Sequence, residues 1–230
     1  MEFGRAFSYI QEDPDWLKKV GVAALIFLIP LVGPITVMGW GLELTRRVIR
    51  HEPEVLPDWT NFSDYLMLGL KAWVVGLVFG LPGGLMSICQ SSFNVLVSNP
   101  DLLNNMDSAT VSALTTGVGV LMMCCGCLGF ILGLAGTFVL PAALGNLVAN
   151  DGDLGAAFRF NEVFGLIRAG VGPYLMTLLG SFVVGLIVPF GLIACFVGVF
   201  FTAAWGITVT SHLYGQAYNA AKAAQAAPGL

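Results

Sequence analysis

Three cysteines stand together in the sequence Cys124-Cys125-Gly126-Cys127, and this cluster is the first candidate for chemistry in the chain. A structural zinc site takes four ligands, usually from two separated pairs. Neither a second pair nor a nearby histidine accompanies the cluster, which lies in an apolar run. We interpret these cysteines as small apolar residues, with ligation of a heterogeneous cofactor as the alternative. The sequence therefore predicts no metal site and no cofactor.

Ionisable side chains inside apolar segments would mark a proton or ion path, and the apolar runs contain almost none. Glu43 comes closest, and Arg46 and Arg47 follow it at ion-pair spacing on a helix. The only histidines are His51 and His212, and His212 stands at the predicted end of a helix, where the dipole favours its charge. No H-E-x-x-H, G-x-S-x-G or P-loop sequence is present. The sequence predicts that the protein is not an enzyme.

Glycines recur at helical spacing in two apolar runs. The first run carries Gly76, Gly80 and Gly84, and the second carries Gly126, Gly129, Gly133 and Gly136. Small residues at this spacing let two helix backbones approach closely in lipid. Because a short connection joins the two runs, we predict that they pack on each other. A glycine face turned towards a partner protein is the alternative.

Two amide side chains, Gln90 and Asn94, lie one helical turn apart in the first of these runs. Amides inside a membrane usually hydrogen-bond between helices. We predict that role for them, with a polar path through the membrane as the alternative.

The segments that carry these residues are strongly apolar. The chain of 230 residues is 57% hydrophobic and 10% charged, with a mean hydropathy of +0.83. A soluble domain carries about a quarter charged residues, so this chain has too little charge to coat a water-exposed surface. Its net charge of −4 gives no basic field for nucleic acid. We predict one transmembrane domain over residues 1–219, an Ala-rich and frayed tail over residues 220–230, and the lipid bilayer as a partner.

The lengths of the apolar runs predict four full spans. A hydrocarbon core ~30 Å thick needs roughly 20 apolar residues. The run over residues 72–99 and the run from residue 109 to about 140 each provide one span, and a new helix is expected to begin at Pro141. Residues 169–211 contain no charge over about twice that length and break at Pro189, which predicts a hairpin of two spans.

The first apolar run, residues 20–42, is interrupted by Pro30 and Pro34 and has positive residues on both flanks. Positive residues favour the cytoplasmic side. We therefore predict a re-entrant hairpin with both ends inside, and a single Pro-kinked span is the alternative. This topology puts every Lys and Arg and both termini on the cytoplasmic side and the connection 98–108 outside.

Amphipathic segments are expected on the cytoplasmic surface, at residues 3–12 and 154–168. Trp59, Phe62 and Tyr65 are spaced to lie on the membrane surface as well. The sequence of residues 4–9 also resembles that of residues 155–160, and each of these segments precedes an apolar run that is broken by proline. Convergent surface helices explain this similarity, and a duplicated unit is the alternative. The predicted fold class is an all-α polytopic membrane helix bundle.

Four short motifs together resemble one known family. They are D-P-D-W (Asp13 to Trp16), L-P-D-W (Leu56 to Trp59) followed by Phe62, Asp64 and Gly69, L-G-A-A-F-R-F (Leu154 to Phe160) and H-L-Y-G-Q-A-Y (His212 to Tyr218). The chain resembles the prokaryotic multi-pass membrane family catalogued as domain of unknown function four-thousand-and-thirteen. This resemblance implies a bacterial or archaeal cytoplasmic-membrane protein and assigns no catalytic or binding residue.

These patterns favour a non-enzymatic scaffold or accessory subunit of a larger membrane complex, with other membrane subunits as partners. The alternative is a small-solute or lipid transporter or channel built on broken helices.

Overall fold

The computed structural model describes residues 2–52, 56–98 and 106–226, and this part of the chain is helical and contains no strand. Its α-helices are α1 (Arg5–Ser8), α2 (Trp16–Phe27), α3 (Val32–Arg50), α4 (Phe62–Val97), α5 (Ser108–Ala149), α6 (Leu154–Ala157), α7 (Phe160–Ala169), α8 (Val171–Ile187) and α9 (Cys195–Ala226). Short 3₁₀ helices cover Tyr9–Glu12, Trp59–Asn61 and Val188–Ala194. The predicted all-α class is confirmed for these residues.

Three of the described helical segments are long and apolar enough to cross a membrane. They are Trp59–Val95, Ser108–Ala149 and Val171–Ile193. The predicted external connection falls largely on residues 99–105, outside the described part of the chain. Asp107, which precedes α5, accepts a hydrogen bond from the amide of Thr110 at 3.2 Å and so caps the start of this helix.

The chain divides into two compact units. The packed unit comprises Met1–Gly76 and Phe138–Leu230, and the hairpin unit comprises Leu77–Thr137. The boundaries fall inside the helices α4 and α5.

In the packed unit, α2 and α3 form a helical hairpin. The chain turns over residues 28–31, where Pro30 supplies no amide hydrogen and Leu31 has a positive φ of 64°. Lys19 in α2 and Trp40 in α3 both contact Trp59. Because residues on either side of the turn reach the same indole, the two helices run back along each other.

A second helical hairpin in the packed unit is formed by α8 and α9. The 3₁₀ turn Val188–Ala194 joins them, and Thr202 Oγ1 in α9 donates to the carbonyl of Val188 at 2.9 Å. Gly206 lies so close to Val184 that an added Cβ would be 2.5 Å from its Cγ1. Helix α9 continues through residue 220 to Ala226, and Ala221 is fully buried.

The core of the packed unit is organised around α9, which contacts α1, α2, α3 and α8. Gly41 faces Ser211, and Gly215 faces Val48 so closely that an added Cβ would be 2.6 Å from the valine. Thr45 Oγ1 donates to the carbonyl of Ser211 at 3.0 Å. The parallel pair α3 and α9 therefore depends on glycine at two levels.

Helix α5 passes through Pro141 without interruption, so the predicted helix start at that residue is wrong. A proline inside a helix removes one backbone hydrogen bond, but neighbouring groups can compensate in an apolar segment. The environment does change there, because residues 141–148 are all buried, whereas most side chains over 119–137 are exposed.

Candidate functional site

A charged cluster, here called the Lys19 junction, lies in the packed unit where α2 meets the segment before α4. Lys19 Nζ is 2.9 Å from Asp13 Oδ2, 3.2 Å from Asp58 Oδ1 and 3.0 Å from the carbonyl oxygen of Leu56. The side chain of Asp13 is 8% exposed, that of Lys19 16% and that of Asp58 66%. Asp13 Oδ1 also accepts from the amide of Asp15. The buried ion pair is therefore Asp13–Lys19, and Asp58 is a peripheral partner.

Electrostatics keep both members of this pair charged. Burial alone would raise the pKa of Asp13, but hydrogen bonds from Lys19 and Asp15 and the lysine charge bring it below its usual value. Burial alone would lower the pKa of Lys19, but Asp13 and Asp58 bring it above its usual value. This arrangement suits a structural ion pair, since neither group titrates near neutral pH.

An aromatic stack encloses the junction. The indole of Trp59 donates to the carbonyl of Lys19, and the indole of Trp40 donates to that of Pro57, both at 2.9 Å. The two indole rings stack with centroids 5.1 Å apart, and Tyr65 meets Trp59 edge-on at 5.9 Å. Tyr65 is buried, so the prediction that it lies on the membrane surface is wrong. It packs against Trp59, and its hydroxyl donates to the carbonyl of Asp58 at 2.6 Å, so its polar atom is satisfied without water.

His212 lies in the middle of α9, so the interpretation that places it at a helix end is wrong. Its ring stacks on Tyr9 with centroids 3.9 Å apart, and Nδ1 is 3.1 Å from Nε2 of Gln216. Gln216 Oε1 accepts from the backbone amide of Glu2, and Tyr9 donates to the carbonyl of Thr208. The H-L-Y-G-Q-A-Y motif thus fixes the N-terminal segment to α9.

The segment around α6 is another joint in the packed unit. Residues 151–153 form a turn with positive φ at Asp151 and Gly152, and Asp153 accepts from the amide of Gly155 at 3.0 Å. Asn146 Nδ2 donates to the carbonyl of Ala156 at 2.8 Å and lies 3.1 Å from Glu162 Oε2. These contacts tie the end of α5 to α6 and α7.

The sequence-predicted ion pair at Glu43 is confirmed, with Glu43 Oε2 2.9 Å from Arg46 Nη1 and Arg47 Nε 3.9 Å from Glu43 Oε1. Within residues 2–52, 56–98 and 106–226, no three His, Cys, Asp or Glu side chains gather closely enough to hold a metal ion. The polar contacts described for the Lys19 junction, Gln216 and Asn146 hold segments of the packed unit together.

In the hairpin unit, α4 and α5 meet at glycines. A Cβ added at Gly83 would be 3.1 Å from Cα of Gly133 and 3.3 Å from the carbonyl oxygen of Gly129. A Cβ added at Gly129 would be 3.0 Å from Cβ of Met86, and one added at Gly136 would be 2.5 Å from the carbonyl oxygen of Phe79. The contact therefore uses Gly129 and Gly133 together with Gly83.

The predicted stripe on α4 lies on another face of that helix. Gly76, Gly80 and Gly84 each have open space where a Cβ would be. The pattern of one glycine every fourth residue does not include Gly83, which makes the contact with α5. The available signal was the Gly83-Gly84 pair, because consecutive glycines lie on two faces of a helix and one of them can face α5.

The predicted polar residues of α4 differ in their surroundings. Gln90 is half-buried, and its carboxamide lies against Gly126. A Cβ added at Gly126 would be 3.3 Å from Nε2 of Gln90. Asn94 is exposed. One turn away, Cys89 Sγ lies 3.8 Å from Cys125 Sγ, whereas the flanking Cys124 and Cys127 are exposed. The structure thus brings Gln90 and a cysteine pair together at the α4–α5 contact.

One comparison with known proteins gave a match. A family model described as "Protein of unknown function (DUF4013)" matches residues 22–197. The match includes the L-P-D-W and L-G-A-A-F-R-F motifs, while the D-P-D-W and H-L-Y-G-Q-A-Y motifs lie beyond its ends. No curated protein and no solved structure matches the chain.

Proposed function

Because the chain belongs to the DUF4013 family of unknown function, we propose its role from architecture: it is a non-enzymatic scaffold or accessory subunit of a membrane complex. The complex lies in the bacterial or archaeal cytoplasmic membrane, and the partners are other membrane-spanning subunits.

The observation that carries this proposal is the exposure of the hairpin unit. Large apolar side chains face outward from both helices, among them Leu81, Ile88, Leu121 and Phe130. Gly80 and Gly84 leave open space on one face of α4. In lipid, close packing against small residues is a main source of helix association, so this face suits a further membrane helix.

The topology we propose has four full spans and a re-entrant first hairpin, with both termini cytoplasmic. The turn at residues 28–31 and the return of α3 along α2 support the re-entrant hairpin. Residues 28–31 are exposed in this chain, so the proposal requires a partner subunit to cover the turn and satisfy its irregular backbone. The α8–α9 hairpin supports the last two spans, since the segment Val171–Ile193, which joins α8 to most of the 3₁₀ turn, is long and apolar enough to cross and α9 runs alongside α8.

Site-specific labelling tests the topology. Single cysteines replacing Arg5 and Asn104 are expected to react with a membrane-impermeant maleimide from opposite sides of the membrane, in a background without native cysteines. Labelling of both from one side would overturn the re-entrant arrangement, while leaving the scaffold role open to its own test.

Co-purification tests the scaffold role. The tagged protein is purified in a mild detergent at native expression, and a stoichiometric membrane partner is expected. The double variant Gly80→Leu/Gly84→Leu should lose that partner. The matched control Gly117→Leu/Gly119→Leu changes two exposed glycines of α5 in the same unit and should keep it. A protein that purifies alone would contradict the proposal.

A second candidate is transport of a small solute or lipid. The two helix breaks of the packed unit, at residues 28–31 and Val188–Ala194, favour it, because broken helices build many transporter sites. Proteoliposomes test it with a fluorescent-lipid scrambling assay and a solute-efflux assay. Flux above that of empty vesicles would favour transport over the scaffold role.

A further inference from the structure

Two thiols from different helices are in contact inside the hairpin unit. Cys89 in α4 and Cys125 in α5 have their sulfur atoms 3.8 Å apart, and both are partly buried. They are 36 residues apart in the sequence, so only the pairing of the two helices brings them together. This contact is independent of the scaffold role proposed above.

The glycine contact explains why the thiols are so close. Met86 faces Gly129, and Gln90 faces Gly126, so residue numbers fall along α5 as they rise along α4. This antiparallel register places Cys89 opposite Cys125. Ordinary helix pairs have axes 8–10 Å apart, whereas a disulfide requires Cα atoms about 4.4–6.8 Å apart. Glycine at the contact shortens the separation towards that range.

We propose that Cys89 and Cys125 form a reversible disulfide that fixes α4 to α5. The oxidant is a low-molecular-weight disulfide, written RSSR. One protein thiolate attacks RSSR, forming a mixed disulfide and releasing one RS⁻, which takes up the proton lost from that thiol. The second protein thiol then displaces the other RS group in the same way. The balance is one protein dithiol and one RSSR giving one protein disulfide and two RSH.

The sequence offers a direct way to detect this bond. Cyanogen bromide cleaves after methionine, and Met86, Met106, Met123 and Met176 place the cysteines in separate fragments. Cys89 falls in fragment 87–106, the three clustered cysteines fall in 124–176, and Cys195 falls in 177–230. A Cys89–Cys125 bond therefore joins fragments 87–106 and 124–176 into one species.

The experiment treats the full-length protein in detergent micelles with the lipid-permeant oxidant 2,2′-dithiodipyridine. For each bond we expect the loss of two hydrogen atoms, the release of two equivalents of thiopyridone, and joined fragments that separate after reduction, while each cysteine that reacts singly gains one thiopyridyl group. The matched control Cys124→Ser/Cys127→Ser removes the two exposed thiols and is expected to retain the joined fragments. The single variants Cys89→Ser and Cys125→Ser are expected to lose them.

Other outcomes would overturn the proposal. Joined fragments that persist in Cys125→Ser would show that Cys124 or Cys127 is the partner. A bond confined to fragment 124–176 would show pairing within the clustered cysteines. Unjoined fragments in the oxidised wild-type protein would show that the two helices do not hold Cys89 and Cys125 close enough to react, and reading this result from the wild type avoids dependence on how the variants fold.

Discussion

The two units use the same device, glycine between helices, in different surroundings. In the packed unit, Gly39 lies against the backbone of Tyr65, and buried tryptophan, tyrosine and ion-pair contacts surround the helix crossing. In the hairpin unit, Gly83 lies against Gly133, and apolar side chains around that contact point outward. Apolar composition alone therefore does not distinguish helices that are buried against the rest of the chain from helices that stay exposed. The packed unit combines its glycine contacts with a buried core, whereas the described hairpin unit has little buried side-chain surface beyond the glycine contact.

The largest expected effect comes from adding a side chain at Gly39. A Cβ there would be 1.8 Å from the carbonyl oxygen of Tyr65 and 2.7 Å from the amide of Gly69, and neither backbone atom can move independently. We expect Gly39→Leu to destabilise the protein by more than about 3 kcal/mol, or to prevent folding. Thermal unfolding in mild detergent measures the change.

The matched control is Gly80→Leu, where a Cβ would meet nothing within 4 Å. It should change stability by less than about 0.5 kcal/mol, since it adds only an exposed side chain and improves helix propensity. Equal losses at the two sites would show that the hairpin unit is as tightly enclosed as the packed unit, and the contrast between the units would fail.

A second pair of substitutions compares large aromatic residues. Trp40 is 0% exposed and donates a hydrogen bond to Pro57, whereas Phe130 is 71% exposed. We expect Trp40→Ala to destabilise the protein by about 3–5 kcal/mol and Phe130→Ala by less than about 0.5 kcal/mol in micelles. Both are measured by thermal unfolding. A large loss for Phe130→Ala in the native membrane alone would point to a partner packed on that face.

Sequence patterns predicted the helical class and the two helix breaks because long apolar runs and proline act locally. The run over residues 20–42 breaks near Pro30, and the long run 169–211 breaks near Pro189, as the chain does. Pro141 was misread because the same local rule has an exception: a proline inside an apolar helix is tolerated when neighbouring groups compensate.

The contacts of the Lys19 junction and of His212 in the packed unit could not be predicted from the sequence for another reason. Asp13 and Lys19 are neighbours in the sequence, but Asp58 lies far along the chain, and its contact with Lys19 depends on how the segment before α4 returns to α2. The strongly apolar run stops at residue 211 and therefore favours a helix end at His212, yet α9 continues through a more polar segment with buried alanines and Tyr218. Tertiary packing decides these placements, whereas spacing reports only on local structure.

The Lys19 junction provides the third prediction. Lys19→Met leaves the buried carboxylate of Asp13 without its cation and the carbonyl of Leu56 without its donor, so we expect a loss of about 3 kcal/mol. Asp58→Asn is the control, because that carboxylate is mostly exposed and should contribute less than about 1 kcal/mol. Comparable losses of stability for the two variants would mean that the Asp13–Lys19 pair is exposed to solvent.

The same junction has a defined pH dependence. The folded pKa of Asp13 is lowered, so its stabilisation is present above about pH 4, the unfolded value, and is lost as pH falls through the folded pKa. The folded pKa of Lys19 is raised, so its stabilisation is present below about pH 10.4 and is lost as pH rises through the folded pKa. The stability difference between wild type and Lys19→Met should therefore be largest between these limits, and a difference that is the same at pH 3 as at pH 7 would contradict the role of the charge.

The smallest effect is expected in the hairpin unit, from Gly83→Leu compared with Gly84→Leu. A side chain at Gly83 would push against the backbone of Gly133 and part α4 from α5, while one at Gly84 enters open space. We expect a loss of about 1–2 kcal/mol for the first variant and almost none for the second. Faster amide hydrogen exchange in α4 and α5 and a lower yield of the Cys89–Cys125 bond should accompany only Gly83→Leu. If only Gly84→Leu caused faster amide exchange and a lower disulfide yield, the assignment of the two faces of α4 would be reversed. Helix α4 would then meet α5 through the face that carries Gly84, which we assign to a partner.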